Sequence, residues 1–414
     1  MQSLRHAYYE AHKFVTTVMA SEDKLSAVSK YLERQKLVRH RQKVADLHDL
    51  YDGKVAIVDY PPKFVTLGIN GKCTFKCQFC VSHSPDCGED EVASHQYKMN
   101  YDMEWDDFKR IVDMCKEAGV PHVHVAAAGE PFLHKDILPM LDYIIELYGS
   151  VSIQTDFVPK LFDRKKFVDE ILDRKQYVEY ITTDIFPRNQ HNAIKVGSDF
   201  DYLLDCMERI CKESDISFRV HNILTRSCWE GLEDLLRELH GRGIKFNQEV
   251  VNLVPHNFND FTAENNIYLE GDDHITEALQ RLKALGDELG IEVTVPKPWD
   301  RMSTPGEESC MNFWNRFQVI PSKHLEKDRW RGNVIPSQCN AVVLGKLWTL
   351  GDIFEYDNLI DFWNNDIVVE YRKRVIEGQL PDPGCVKCYK YCHRDPNGPA
   401  TQSGRTIPIE LNQG

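Results

Sequence analysis

Three cysteines stand in one short run, Cys73-Thr-Phe-Lys-Cys77-Gln-Phe-Cys80, and their spacing brings three thiolates to a single loop. Three sulfur ligands leave a metal site one protein ligand short of four. A structural zinc site normally closes all four positions, whereas three cysteines around an iron–sulfur cube leave one iron open to a substrate or cofactor. A zinc knuckle that borrows Cys87 or His83 as its fourth ligand is the competing reading. A second group, Cys385, Cys388 and Cys392, lies near the C-terminus, with Cys310 and Cys339 spaced out before it. Of the other cysteines among the thirteen, Cys115, Cys206 and Cys211 fall in amphipathic helical patterns and read as small core hydrophobes.

These loops need a scaffold. Between about residues 63 and 255, β-rich segments alternate with amphipathic helices: FVTLGI, HVHVAAA, VSIQTDF, YITTDI, ISFRVHNIL and IKFNQEVV are separated by stretches such as MEWDDFKRIVDMCKEAG and DYLLDCMERICKES. Such repetition predicts parallel strands joined by right-handed helical crossovers. Six strands form either an open doubly wound sheet or a partial barrel, and periodicity does not choose between them. No G-x-G-x-x-G follows the first strand, which removes the usual dinucleotide fingerprint. Charge-rich helical patterns fill the first 50 or so residues, a Pro-containing linker runs near 295–308, and a polar tail begins at Asp395.

Composition narrows the function. The 414 residues suggest two to three structural units at roughly 150 residues per domain. Lys+Arg total 50 against 64 Asp+Glu, a formal charge of −14, which argues against an extended nucleic-acid partner. No apolar run approaches the roughly 20 residues of a membrane span, and the first residues lack a secretory layout, so a cytoplasmic protein without a membrane partner is expected.

The C-x-x-x-C-x-x-C loop with an aromatic, Phe79, before its last cysteine resembles the radical S-adenosylmethionine superfamily. The resemblance implies a [4Fe-4S] cluster on Cys73, Cys77 and Cys80 whose free iron chelates S-adenosylmethionine, and reductive cleavage to a 5′-deoxyadenosyl radical. It also implies an electron donor such as flavodoxin or ferredoxin. The segment Ala127-Ala128-Gly129-Glu130-Pro131 resembles the family's Gly-Gly-Glu-Pro stretch, whose carbonyls and acid receive the methionine amino group; Ala128 replaces the usual glycine. The fold implied is a TIM-barrel-like partial (β/α)6 barrel over 61–295, with a helical extension over 1–60, a small α+β cysteine-rich domain over 296–395 and a flexible tail over 396–414.

Strand alternation adds candidates, because residues two apart share a face and a barrel turns its apolar face outward. Arg219 and His221 alternate with Phe218 and Val220 and so face the lumen, where a guanidinium suits the carboxylate of S-adenosylmethionine. Thr182 and Asp184 share a face and resemble the family's ribose-contacting Ser-x-Asp strand; Gln154 faces inward with Asp156, and Asn247 with Glu249. Glu249 is a candidate substrate-side acid or base. Cys228 is a candidate hydrogen-atom donor for an epimerisation. His122 and His124 share a face but lack an evident third metal ligand.

The C-terminal order of Cys310, Gly332, Cys339, Cys385 and Cys388 resembles SPASM and twitch domains, implying one auxiliary [4Fe-4S] cluster on those four cysteines, with Cys392 to spare. A four-cysteine zinc site, or one using Cys392 and His393, is the alternative. An oxidoreductase or epimerase acting on a small polar, sugar- or aminocyclitol-like molecule is the expected activity. The alternatives are a peptide- or protein-modifying maturase and a zinc-binding interaction module without radical chemistry.

Overall fold

The computed structural model describes residues 22–80, 82–85, 102–126, 129–158, 164–252, 259–267, 273–296, 311–323, 330–335 and 349–379. In chain order the strands are β1 (Phe64–Gly68), β2 (Lys76–Cys77), β3 (Val123–Ala126), β4 (Val151–Gln154), β5 (Val178–Asp184), β6 (Lys195–Val196), β7 (Ser217–Leu224), β8 (Phe246–Asn252), β9 (Val293–Thr294), β10 (Arg316–Lys323), β11 (Trp330–Ile335) and β12 (Gly351–Asp352). The helices used below are α1 (Glu22–Tyr51), α2 (Trp105–Glu117), α3 (Ile137–Tyr148), α4 (Arg164–Asp173), α5 (Arg188–Ile194) and α6 (Phe200–Glu213).

One sheet runs β12-β11-β10-β1-β3-β4-β5-β7-β8-β9, and the eight strands from β10 to β9 are all parallel neighbours. This is a partial barrel. The six strands expected from the sequence are β1, β3, β4, β5, β7 and β8. The two-residue β9 joins at one edge, and β10 pairs with β1 at the other through Phe64↔Arg316 to Leu67↔Val319. The sheet therefore continues beyond residue 296, where the sequence suggested a separate unit.

The crossover helices fold as their patterns require. Helix α2 buries Phe108, Ile111, Val112 and Cys115 on one face, and α6 buries Phe200, Leu203, Leu204, Met207 and Cys211. Asp199 caps α6 by accepting the Tyr202 N–H at 3.0 Å. Gly149, at φ 71°, ends α3 in the left-handed conformation that glycine adopts freely. Cys115, Cys206 and Cys211 are buried in the core as expected. Among the described residues no helix is long and apolar enough to cross a membrane.

Helix α1 spans the N-terminal ends of the strands. Arg41 reaches Glu179 Oε1 at 2.7 Å, Ser150 Oγ at 3.1 Å and His122 Nδ1 at 3.2 Å, joining residues at or just before β3, β4 and β5. His48, fully buried, lies between Asp52 and the Pro61 carbonyl, each at 2.9 Å. The lumen thus has a floor at its N-terminal end, leaving the C-terminal rim for chemistry.

Candidate functional site

The rim is organised around the cysteine loop. After β1 the chain passes Asn70 and Lys72 to Cys73, and β2 pairs antiparallel with β6, setting Lys76 opposite Val196 and Cys77 opposite Lys195. Phe75, Cys77 and Val158 form a small buried cluster against which Cys73, Phe79 and Cys80 pack. Phe79 also meets Phe186 at 5.5 Å between ring centres. Burial pushes the Cys73 thiol up to about 12 and the Cys77 thiol well above its usual range. Without a compensating positive group these sulfurs stay protonated.

The stretch after β3 closes over that loop. A β-carbon on Gly129 would lie 1.9 Å from the Lys72 carbonyl oxygen, so only glycine permits this approach. The Glu130 N–H donates to the same carbonyl at 2.7 Å. The Glu130 carboxylate turns inward, accepting from Thr155 Oγ1 at 2.8 Å, Asp156 N at 3.0 Å and Phe132 N at 3.2 Å. Burial outweighs these donors and raises Glu130 to about 7. Asn70 Nδ2 donates to the Glu130 carbonyl at 3.0 Å, while its buried Oδ1 has no hydrogen-bond partner among the described residues. Pro131 opens a short 3₁₀ turn, Pro131–Leu133.

Below the rim the lumen is polar. His221 stands between two carboxylates, with Asp184 Oδ1 at 3.5 Å and Glu249 Oε2 at 3.4 Å. The register explains the contact, because Asp184 pairs with His221 and His221 with Glu249 across β5, β7 and β8. Burial disfavours the imidazolium, but the two carboxylates prevail and raise His221 to about 9. Asp184 stays below the ordinary carboxylate range despite its burial, through His221 and Lys195. His221 likewise lowers Glu249. Thr182 and Gln154 are register partners on the same side of the sheet as Asp184.

Arg219 lies with its guanidinium carbon 3.6 Å from the Tyr180 ring centre. Beneath it, Tyr180 stacks on His122 and His124, at 5.8 and 6.0 Å between ring centres. Ser152 Oγ bridges the two histidines at 2.6 and 2.8 Å. Burial lowers His122 to about 4 and His124 to about 3, so both are neutral. The pair is bound into the floor by hydrogen bonds.

Cys228 is buried against Phe186 and Ile194, and its thiol donates to the Ile223 carbonyl at 3.3 Å. Ala128 and the four C-terminal candidates, Cys310, Cys339, Cys385 and Cys388, lie outside the described residues, as do Cys87, Cys392 and His393. Sequence reading missed Lys195 altogether. This lysine is fully buried, with Nζ 2.7 Å from both Asp156 Oδ1 and the Asp184 carbonyl. In the run Ala-Ile-Lys-Val-Gly it resembles any surface lysine, and only the β2–β6 pairing reveals its place.

Among the described residues no three His, Cys, Asp or Glu side chains are gathered into a site for a metal ion. A cube held at three corners by one thiolate each requires wider spacing than a mononuclear ion. The donor set suits such a cube: three sulfurs on one loop in an apolar pocket, with an unused buried acceptor on Asn70 nearby.

Residues 68–239 match the radical SAM superfamily. A curated relative, the S-adenosylmethionine-dependent nucleotide dehydratase of Selenomonas ruminantium, is 27% identical over 92 residues, or 22% of this chain and 29% of that protein. The match thus spans under a third of that relative's length. Among solved structures, Streptococcus suis SuiB bound to precursor peptide SuiA has a TM-score of 0.57 at 16% identity, covering 88% of this chain and 80% of SuiB. The structure of anSMEcpe with bound AdoMet and Cp18Cys peptide has a TM-score of 0.50 at 15% identity, covering 78% and 85% of the two chains. At these identities the likeness establishes a shared fold. The superfamily implies S-adenosylmethionine and a [4Fe-4S] cluster.

Proposed function

We propose, with a radical SAM domain over residues 68–239 as the premise, that this chain is an enzyme oxidising a small polar, sugar- or aminocyclitol-like substrate. The observation behind this reading is the cysteine loop set at the rim of a lumen lined by Asp184, His221, Glu249 and Arg219. A cluster on that loop, with S-adenosylmethionine bound, supplies a 5′-deoxyadenosyl radical able to abstract hydrogen from an unactivated carbon. Cys73, Cys77 and Cys80 hold the cluster, with Phe79 packed beside them. Gly129, Glu130 and Pro131, with Ala128 next to them in the sequence, would receive the methionine end; Glu130 acts there by fixing the backbone through its three donors.

Gln154, Thr182, Asp184, Arg219 and His221 offer polar contacts to cofactor and substrate, with Arg219 free to meet a carboxylate from its seat on Tyr180. Glu249, only half-buried and kept ionised by His221, stands on the substrate side as the candidate proton acceptor. The α1 floor excludes water from that end of the lumen. Cys310, Cys339, Cys385 and Cys388 would hold one auxiliary [4Fe-4S] cluster, which would supply a one-electron acceptor for the oxidation. The curated relative's name, a nucleotide dehydratase, lends support to a small polar substrate class.

The test is anaerobic reconstitution followed by assay of reductant-dependent 5′-deoxyadenosine with specifically deuterated polyols and aminocyclitols. Product formation that disappears on replacing Cys73, Cys77 and Cys80 with Ala, and deuterium appearing in 5′-deoxyadenosine, are expected. Undiminished product in the triple variant would overturn the cluster assignment. Deuterium transfer from labelled peptides alone would overturn the substrate class.

A further inference from the structure

Lys195 is a fully buried cation paired with the cysteine loop, and nothing in its local sequence accounts for it. Its side chain is fully buried, at the junction where α5 ends and β6 begins. Antiparallel pairing sets it directly opposite Cys77, and its Nζ lies 5.9 Å from the Phe75 ring centre in the apolar pocket that holds the loop. The ammonium donates to Asp156 Oδ1 and to the Asp184 carbonyl, both at 2.7 Å. That same Asp156 oxygen accepts the Thr183 hydroxyl and the Asp184 N–H, each at 3.1 Å. Phe157, at φ 53°, turns the chain sharply just after Asp156 and is itself buried. A left-handed phenylalanine is costly and is kept only where the surroundings enforce it.

A structural tie alone does not require this arrangement. Burying an ammonium and a carboxylate carries a desolvation penalty, and an apolar pair of similar volume is often as stable or more so. What a lysine adds is a fixed positive charge in a water-poor region. A metal group on three thiolates is net negative and becomes more so when it takes up an electron, and a nearby cation favours that uptake.

We propose that Lys195 positions the Cys77 arm of the loop and favours electron uptake by the metal group held there, with Asp156 as its counter-charge. This rests on the cysteine loop being a cluster site. The electron comes from an external one-electron reductant, and no proton need accompany it. Lys195 is thus assigned a positioning role, acting through the loop that it pairs with.

The experiment is a redox titration of the anaerobically reconstituted full chain with dithionite as reductant, following the EPR signal that disappears when Cys73, Cys77 and Cys80 are all alanine. Iron per chain is measured alongside. Lys195→Met is expected to shift the midpoint to more negative potential, Lys195→Arg to keep it near the wild-type value, and Asp156→Asn to shift it to more positive potential. Opposite shifts in the Met and Asn variants separate an electrostatic role from simple loosening of the loop, which would move both in one direction or empty the site. Equal or same-direction potentials in loaded variants would overturn the proposal. If Lys195→Met does not load iron, Asp156→Asn decides: a positive shift supports the role and an unchanged midpoint overturns it. A wild-type chain without any signal dependent on the three cysteines would instead refute the cluster reading itself.

Discussion

Histidines at two depths of the same lumen end in opposite charge states. His122 and His124 on the floor are lowered to about 4 and 3, while His221, three strands away, is raised to about 9. All three are deeply placed, so burial alone does not decide the outcome. On the floor the histidines share Ser152 Oγ, and Arg41 and Arg219 add positive charge against protonation. At His221 two carboxylates from neighbouring strands outweigh desolvation. The lesson is that a neutral hydrogen-bonding floor and a charged working wall arise from one residue type, sorted by what the adjacent strands present.

The sharpest way to break the comparison is to remove the floor's shared hydroxyl. Ser152→Ala removes the hydroxyl from both buried imidazoles; His122 Nε2 keeps the Tyr180 hydroxyl at 3.3 Å, so a loss of about 1–3 kcal/mol in denaturant unfolding is expected from the one group left unsatisfied, His124 Nδ1. Arg41→Ala comes next. It frees the partly buried Glu179 from its guanidinium and should cost about 1 kcal/mol, with His122 titrating at higher pH in a proton NMR titration because the opposing cation is gone.

On the charged wall, Glu249→Gln removes one of the two carboxylates and should lower the His221 titration point from about 9 by on the order of one unit, read by the same NMR titration. An unchanged titration would mean that Asp184 alone holds the charge.

The same comparison shows in the shape of stability against pH. His221 is raised above its unfolded value, so its stabilisation is complete below about 6.5 and is lost as pH rises through about 9. His122 and His124 are depressed, so their contribution is present above about 6.5 and is lost as pH falls toward about 4 and 3. In chemical-denaturation curves across this range, His221→Asn should flatten the alkaline limb only and His124→Asn the acid limb only.

Much of this arrangement was legible in the sequence, because alternation in a strand is a strong constraint. Phe218 and Val220 placed Arg219 and His221 together, and Asn247 with Glu249 followed the same rule; the register then set His221 beside Glu249. The six central strands were legible for the same reason. Two-residue β9 is too short to show a period, and β10 joins from beyond a proline-rich stretch, so neither edge was foreseen. Asp156 lies just past the end of β4, beside the turn at Phe157, and its pairing with Lys195 joins residues far apart in the chain. Long-range pairings of this kind, like that of Arg41 with Glu179, have no local signature.

The central claim is an open iron on the Cys73–Cys77–Cys80 loop, and EPR of the reduced, reconstituted chain before and after addition of S-adenosylmethionine tests it most directly. The account predicts that the signal dependent on these three cysteines changes its g-values when the sulfonium compound occupies the open position. A signal identical with and without it, at concentrations that saturate binding, would contradict the account.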